Sequence, residues 1–186
     1  MINILRTRRS IRKYAPNPID NKMLATLIEA MLRSPTSRNT KSWEFIIIDD
    51  RELLTKLSKA REHGSLHLQG ASLGVVVCAD STKTDVWIED CSIAAILIQM
   101  TAHDLGLGSC WIQIRNRNHT DRLSAEQYVQ SILGLPQHIN VECMLSIGYP
   151  DETKKPVADS ELDHKKVRHN HYSTIYESAT KGGKTP

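Results

Sequence analysis

Trp87 to Ile114 reads WIEDCSIAAILIQMTAHDLGLGSCWIQI, and this stretch of the 186-residue chain says most about the fold. The spacing predicts a helix over Trp87–Leu105, apolar nearly all round its middle, the pattern of a helix covered on several sides. Gly106 and Gly108 stop it. Ser109-Cys110-Trp111-Ile112-Gln113-Ile114 then reads as a strand, with aromatic and β-branched residues that suit a pleated, half-buried surface. A buried helix running straight into a strand points to a sheet with helices packed on it.

The neighbouring segments extend that pattern in both directions. Upstream, Asp20 can cap a helix in which Leu24, Leu27, Ile28, Met31 and Leu32 share a face, and Ser34-Pro35 ends it. Trp43–Asp49 predicts a strand, Leu53, Leu54 and Leu57 mark a helix, and Gly74–Ala79 is a buried β-branched run closed by Asp80. Downstream, a helix is expected from about Arg122 to Leu133, closed by Gly134 and Pro136. Cys143–Gly148 predicts a last strand, leading to Tyr149-Pro150. Taken alone, this alternation of strands and helices predicts a parallel α/β sheet.

Composition sets the outer limits. With 40 % apolar and 24 % charged residues the chain reads as an ordinary globular protein of one domain, long enough to bury a core. The longest apolar run, Ile93–Ile98, is too short to span a bilayer. No cleavable signal pattern precedes Arg6, so the expected compartment is the cytoplasm. Cys78, Cys91, Cys110 and Cys143 lie beside apolar residues with no CxxC spacing, and read as small buried hydrophobes rather than disulfide or zinc partners. Of the net charge of +3, the part from Lys165 onward carries +4 and the remainder −1. One Phe and five Tyr spread along the chain do not supply the aromatic, basic face that nucleic-acid binding requires. His164, His169 and His171 lack a carboxylate or Cys at ligand spacing and read as a solvated tail rather than a metal site.

The chemistry begins at Arg8-Arg9-Ser10-Ile11-Arg12-Lys13-Tyr14. In an extended segment alternate side chains share a face, which groups Arg8, Ser10 and Arg12. Two guanidinium forks with a hydroxyl between them suit a phosphate, which Arg grips bidentately. A second stretch, Pro35-Thr36-Ser37-Arg38-Asn39, follows a proline-ended helix with hydroxyls and an amide that can both donate and accept hydrogen bonds. Each of these also reads as ordinary surface: a basic run and a helix-terminating loop.

Five segments in order, RRSIRKY, SPTSRNTKSWEF, ASLGVVVCAD, AHDLGLGSCWIQ and SIGYPDE, together resemble the nitroreductase family over about residues 3 to 170. The resemblance implies an α+β fold with a mixed central sheet flanked by helices, in place of the parallel sheet, and an intertwined homodimer. It implies FMN as cofactor, NADH or NADPH as transient electron donor, and a nitroaromatic, quinone or other small organic acceptor. Residues 1–170 would then form the FMN-binding domain and 171–186 a polar basic tail. In site terms it assigns the cofactor phosphate and ribityl chain to Arg8, Arg9, Ser10 and Arg12. Pro35, Thr36, Ser37 and Asn39 are assigned to a loop that reaches the flavin of the partner subunit.

Cys110, Trp111 and Ile112 are assigned to the strand along the ring, where Gly108 would let backbone come close. His67 is a further polar contact, and Lys166 and Arg168 return to the phosphate. The sequence departs from the family's usual Q-P-W at Lys41-Ser42-Trp43. No catalytic side chain and no metal is implied, since the cofactor carries the hydride chemistry while protein groups bind and orient it. Other readings are a flavin-consuming or dehalogenating branch of the family, a non-catalytic flavin-binding regulatory module, and nucleic-acid binding by the tail.

Overall fold

The computed structural model describes residues 1–176, so Glu177, Lys181 and Lys184 at the end of the expected basic tail lie outside the described residues. The chain divides into two compact units, one from Met1 to Lys155 and one beginning at Pro156. The first unit opens with a short helix the sequence does not announce, α1 (Ile2–Thr7), which has no side-chain cap and no buried residue. The next, α2 (Asn21–Leu32), is capped as expected, with the Asp20 carboxylate accepting from the Met23 N–H.

Strand β1 (Trp43–Ile48) leads to α3 (Arg51–Leu57), and β2 (Leu73–Asp80) leads to α4 (Trp87–Asp104). Then come β3 (Gly108–Gln113), a small ribbon of β4 (Asn118–Thr120) and β5 (Leu123–Ser124), α5 (Ala125–Leu133) and β6 (Ile139–Gly148). Helix α5 starts later than its periodicity suggests. Ser124 and Gln127 form a capping box there, and the residues before it belong to the ribbon.

The sheet order is β1-β2-β6-β3, and every neighbouring pair is antiparallel. This corrects the parallel sheet expected from alternation alone. The first reason is length: α3 has seven residues, about 10 Å of helix, whereas β1 with six residues spans about 20 Å. The chain therefore re-enters where it left, and Ile48 pairs with Gly74. The longer α4 does carry the chain back, so β2 and β3 run the same way, but β6 inserts between them. The parallel pairing that remains is a single bridge, Ser10 to Ser109.

Both faces of the sheet are covered. Leu27 and Met31 of α2 and Cys91, Ala94, Ala95 and Ile98 of α4 pack on Val75, Val77, Leu145 and Ile147. On the other face Leu54, Leu57 and Val129 pack on Val76, Ile112 and Met144. Strand β2, buried along its whole length, accounts for its unbroken apolar sequence. The four cysteines are free and buried within this core. Among the described residues no helix is long and apolar enough to cross a membrane. The second unit carries a hairpin of β7 (Arg168–His169) and β8 (His171–Ile175).

Candidate functional site

Thr7 ends α1 with its hydroxyl 2.8 Å from His103 Nε2, in the last turn of α4. From Arg8 the backbone is extended. Ser10 bridges to Ser109, and the Ile11 N–H donates to the Ser109 carbonyl at 3.0 Å. The alternation expected of an extended segment follows. Ile11 turns onto Gly108, where an added Cβ would lie 2.7 Å from the Ile11 Cβ. Gly108 thus permits a close approach, and in this chain Ile11 is what approaches it. Arg9 and Thr7 face the same way as Ile11, lining a cleft with His103, Gly106 and Lys154.

Arg8, Ser10 and Arg12 face the other way, toward Cys110. Burial raises the Cys110 thiol, and Arg12, the Ser10 hydroxyl and Arg8 pull it back. The thiol is protonated at neutral pH. Tyr14 closes the segment: its hydroxyl donates to the Ile11 carbonyl and lies 2.7 Å from Ser146 Oγ. Burial drives that phenol far above its usual range. Glu152 holds the segment from outside. Its Oε1 accepts from the Arg12 N–H at 2.6 Å and the Lys13 N–H at 3.3 Å, and its Oε2 pairs with Lys154 at 2.8 Å. The Lys154 partner, then the two backbone donors, hold its carboxyl down to about 2.

His67 lies in a short helical turn, Leu66–Gly70. Its Nε2 is buried with no partner among the described residues. Burial, and then the Arg12 charge, lower its pKa to about 4, so the ring is neutral at pH 7. Arg12 therefore stands electrostatically beside both Cys110 and His67. Two guanidinium groups, a hydroxyl and an unpartnered buried imidazole nitrogen make a donor set that fits a phosphate monoester.

Next to this cluster, β3 is an edge strand. Ser109 turns its carbonyl outward to Ile11, so the backbone of Trp111 also faces the open edge, while Cys110 and Ile112 pair toward Ser146 and Met144 of β6. Cys110 and Ile112 point their side chains into the core. The Trp111 indole is half-buried against the α4 side of the core, with its N–H donated to Gln113 Oε1 at 2.9 Å.

The Pro35–Asn39 stretch lies elsewhere. Arg38, Asn39 and Lys41 all take left-handed backbone conformations, with φ of 51°, 55° and 49°. For non-glycine residues other than Asn this costs about 1–2 kcal/mol each. The Ser37 N–H donates to Asp90 Oδ1 at 2.9 Å, in the first turn of α4. Asp90 and His103 are thirteen residues apart on that helix, about 20 Å at 1.5 Å per residue. Within one chain the loop and the arginine segment therefore sit at opposite ends of α4. Lys166 and Arg168 belong to the second unit; Lys166 closes a short turn, and Arg168 lies over the Tyr172 ring at 5.1 Å.

Sequence reasoning gave no role to Tyr14, Asp90 or Glu152. The signal for Asp90 was a carboxylate at the head of a helix too apolar to leave it exposed. For Glu152 it was the acid closing SIGYPDE.

The profile of the nitroreductase family matches residues 5–87 and 68–149. A protein of Archaeoglobus fulgidus, provisionally named for NADH dehydrogenase or NAD(P)H nitroreductase activity, is 36 % identical over 157 residues, 82 % of this chain and 87 % of that protein. The chain belongs to the nitroreductase family. An FMN-dependent nitroreductase from Clostridium difficile R20291 superposes with a TM-score of 0.91 at 49 % identity, covering 92 % of this chain and 99 % of the other. An FMN reductase using NAD(P)H from Bacillus subtilis is 26 % identical over 84 % of this chain and 69 % of its own length. The antiparallel sheet with helices on both faces is thus the α+β nitroreductase fold.

Proposed function

We propose that this nitroreductase-family chain is an FMN-dependent oxidoreductase that takes electrons from NADH or NADPH and passes them to a nitroaromatic, quinone or other small organic acceptor. The observation that carries the reading is the convergence of Arg8, Ser10 and Arg12 on one face, beside a buried His67 nitrogen with no partner. FMN, when bound, accepts hydride and passes on electrons. Arg8 and Arg12 neutralise its phosphate, Ser10 and neutral His67 add hydrogen bonds, and the open edge of β3 at Trp111 offers backbone groups to the ring. Glu152 fixes the backbone of Arg12 and Lys13. Burial keeps both the Cys110 thiol and the Tyr14 phenol protonated, so neither offers a nucleophilic anion.

The working unit is a homodimer with shared sites. The hydroxyl-and-amide loop sits about 20 Å along α4 from the arginine segment, which supports a second copy supplying the other half of each site. An apolar face is ready for it. Ile93 and Ile96 of α4 and Leu32 of α2 are exposed in the single chain, although α4 reads as a helix covered nearly all round. Obligate interfaces bury such surface. Four buried free thiols fit a cytoplasmic setting.

The test is the released cofactor and its reduction. Heat should liberate FMN, not FAD, and NADH or NADPH should bleach the yellow protein without air, with colour returning on addition of a quinone or nitroaromatic. Bound FMN that no nicotinamide bleaches would instead mark a flavin-binding module.

A further inference from the structure

We infer that Asp90 is the positioning residue of the shared site: it holds the Thr36–Lys41 loop in the shape in which Ser37 and Asn39 meet a flavin bound by the other copy. The inference rests on the two-copy reading above. Asp90 is 3 % exposed, and its Oδ1 accepts from the Ser37 N–H at 2.9 Å. Among the described residues this is the one hydrogen bond that ties residues 36–41 to the rest of the chain; the others run within the loop, from Asn39 to Thr36, Thr40 to Ser37 and Lys41 to the Thr36 hydroxyl. Asp90 Oδ2 has no partner among the described residues, so the Ser37 N–H is the one group there that the carboxylate bonds.

The loop needs such a tie. Arg38, Asn39 and Lys41 are all left-handed, and two of the three are residue types that rarely adopt that conformation. Backbone of this kind persists only where its surroundings impose it. Asp90 is buried on α4, a rigid element, and transmits the position of that helix to the loop. It touches no reacting atom itself. Removing the carboxylate frees the loop to relax, and the affinity lost is that of the other copy's site.

The experiment reads FMN affinity by fluorescence quenching, in homodimers and in hybrid dimers isolated with two tags. Asp90→Ala should weaken FMN about tenfold, the scale of one charge-assisted hydrogen bond. Asp90→Asn keeps an oxygen for the Ser37 N–H and should stay within about threefold of the parent. A hybrid with Arg12→Ala on one chain and Asp90→Ala on the other should keep one site of parental affinity, which also shows that the Asp90→Ala chain folds and assembles. A hybrid with both substitutions on one chain should keep none.

Parental affinity in the Asp90→Ala homodimer would overturn the positioning role. A loss in Asp90→Asn as large as in Asp90→Ala would overturn the hydrogen bond as its basis. The reversed hybrid pattern, with the tight site surviving only when both changes share a chain, would overturn the two-copy reading beneath it.

Discussion

The segment Arg8–Tyr14 and the loop Pro35–Asn39 are the two halves of the proposed site, and the protein builds them in opposite ways. The first is fastened on every side by its own chain: a bridge to Ser109, Ile11 seated on Gly108, Tyr14 bonded to Ser146, and backbone N–H groups held by Glu152. The second is mostly exposed, left-handed at Arg38 and Asn39 and again at Lys41 just beyond it, and tied by one buried carboxylate. A clamp that must grip a charged group gains from rigidity, because ordering costs are met before the ligand arrives. A loop so loosely bonded at home is suited to completing a surface elsewhere.

The sharpest way to break this contrast is at the clamp. Arg12→Ala removes one guanidinium from a charge-assisted contact worth about 1.5–3 kcal/mol, so FMN should bind roughly ten- to a hundredfold more weakly in a direct titration. Wild-type affinity would reduce the segment to a solvated basic run.

A smaller effect is expected at His67. Its pKa falls from 6.5 to about 4 on folding, chiefly through burial. The unfolded chain therefore takes up a proton as pH drops through 6.5 while the folded chain does not, and His67 stability is lost between those two values. His67→Gln should lower Tm less between pH 7 and pH 4.5 than the parent does. It should weaken FMN by about two- to tenfold, the range of a neutral hydrogen bond. Equal acid sensitivity in both proteins would place the imidazole in water.

Arg9→Ala should change least. Its side chain faces the cleft with His103 and Lys154, away from Cys110, so FMN affinity should stay within about twofold, the residue of a screened and distant charge. A loss matching that of Arg12→Ala would show that the alternation of the segment is not what the chain uses to sort its arginines.

Much of this was legible because it is local. The period of Leu24, Leu27, Ile28 and Met31, the unbroken apolar run of β2 and the glycine stop after α4 each act within a few residues. So does the grouping of Arg8, Ser10 and Arg12, and there the structure and the period-two argument coincide. Helix α1 was missed because INILRT has no capping side chain and buries nothing. The sheet order was missed because it depends on β6, more than thirty residues after α4, entering between β2 and β3. That Gly108 permits a close approach was legible, because a sequence shows that a side chain is missing; that Ile11 packs there was not. The opposite placement of loop and clamp was beyond reach for a similar reason. It depends on how α4 lies along the sheet, and the family resemblance alone suggested that a second copy was involved.

The central claim, that one flavin site takes its two halves from two copies, is tested most directly by sedimentation velocity on the FMN-loaded protein during dilution, with absorbance followed at both protein and flavin wavelengths. The account predicts that all flavin absorbance travels with a dimer at two FMN per dimer, and that any monomer formed by dilution sediments colourless. A monomer that carries its full complement of FMN would contradict it.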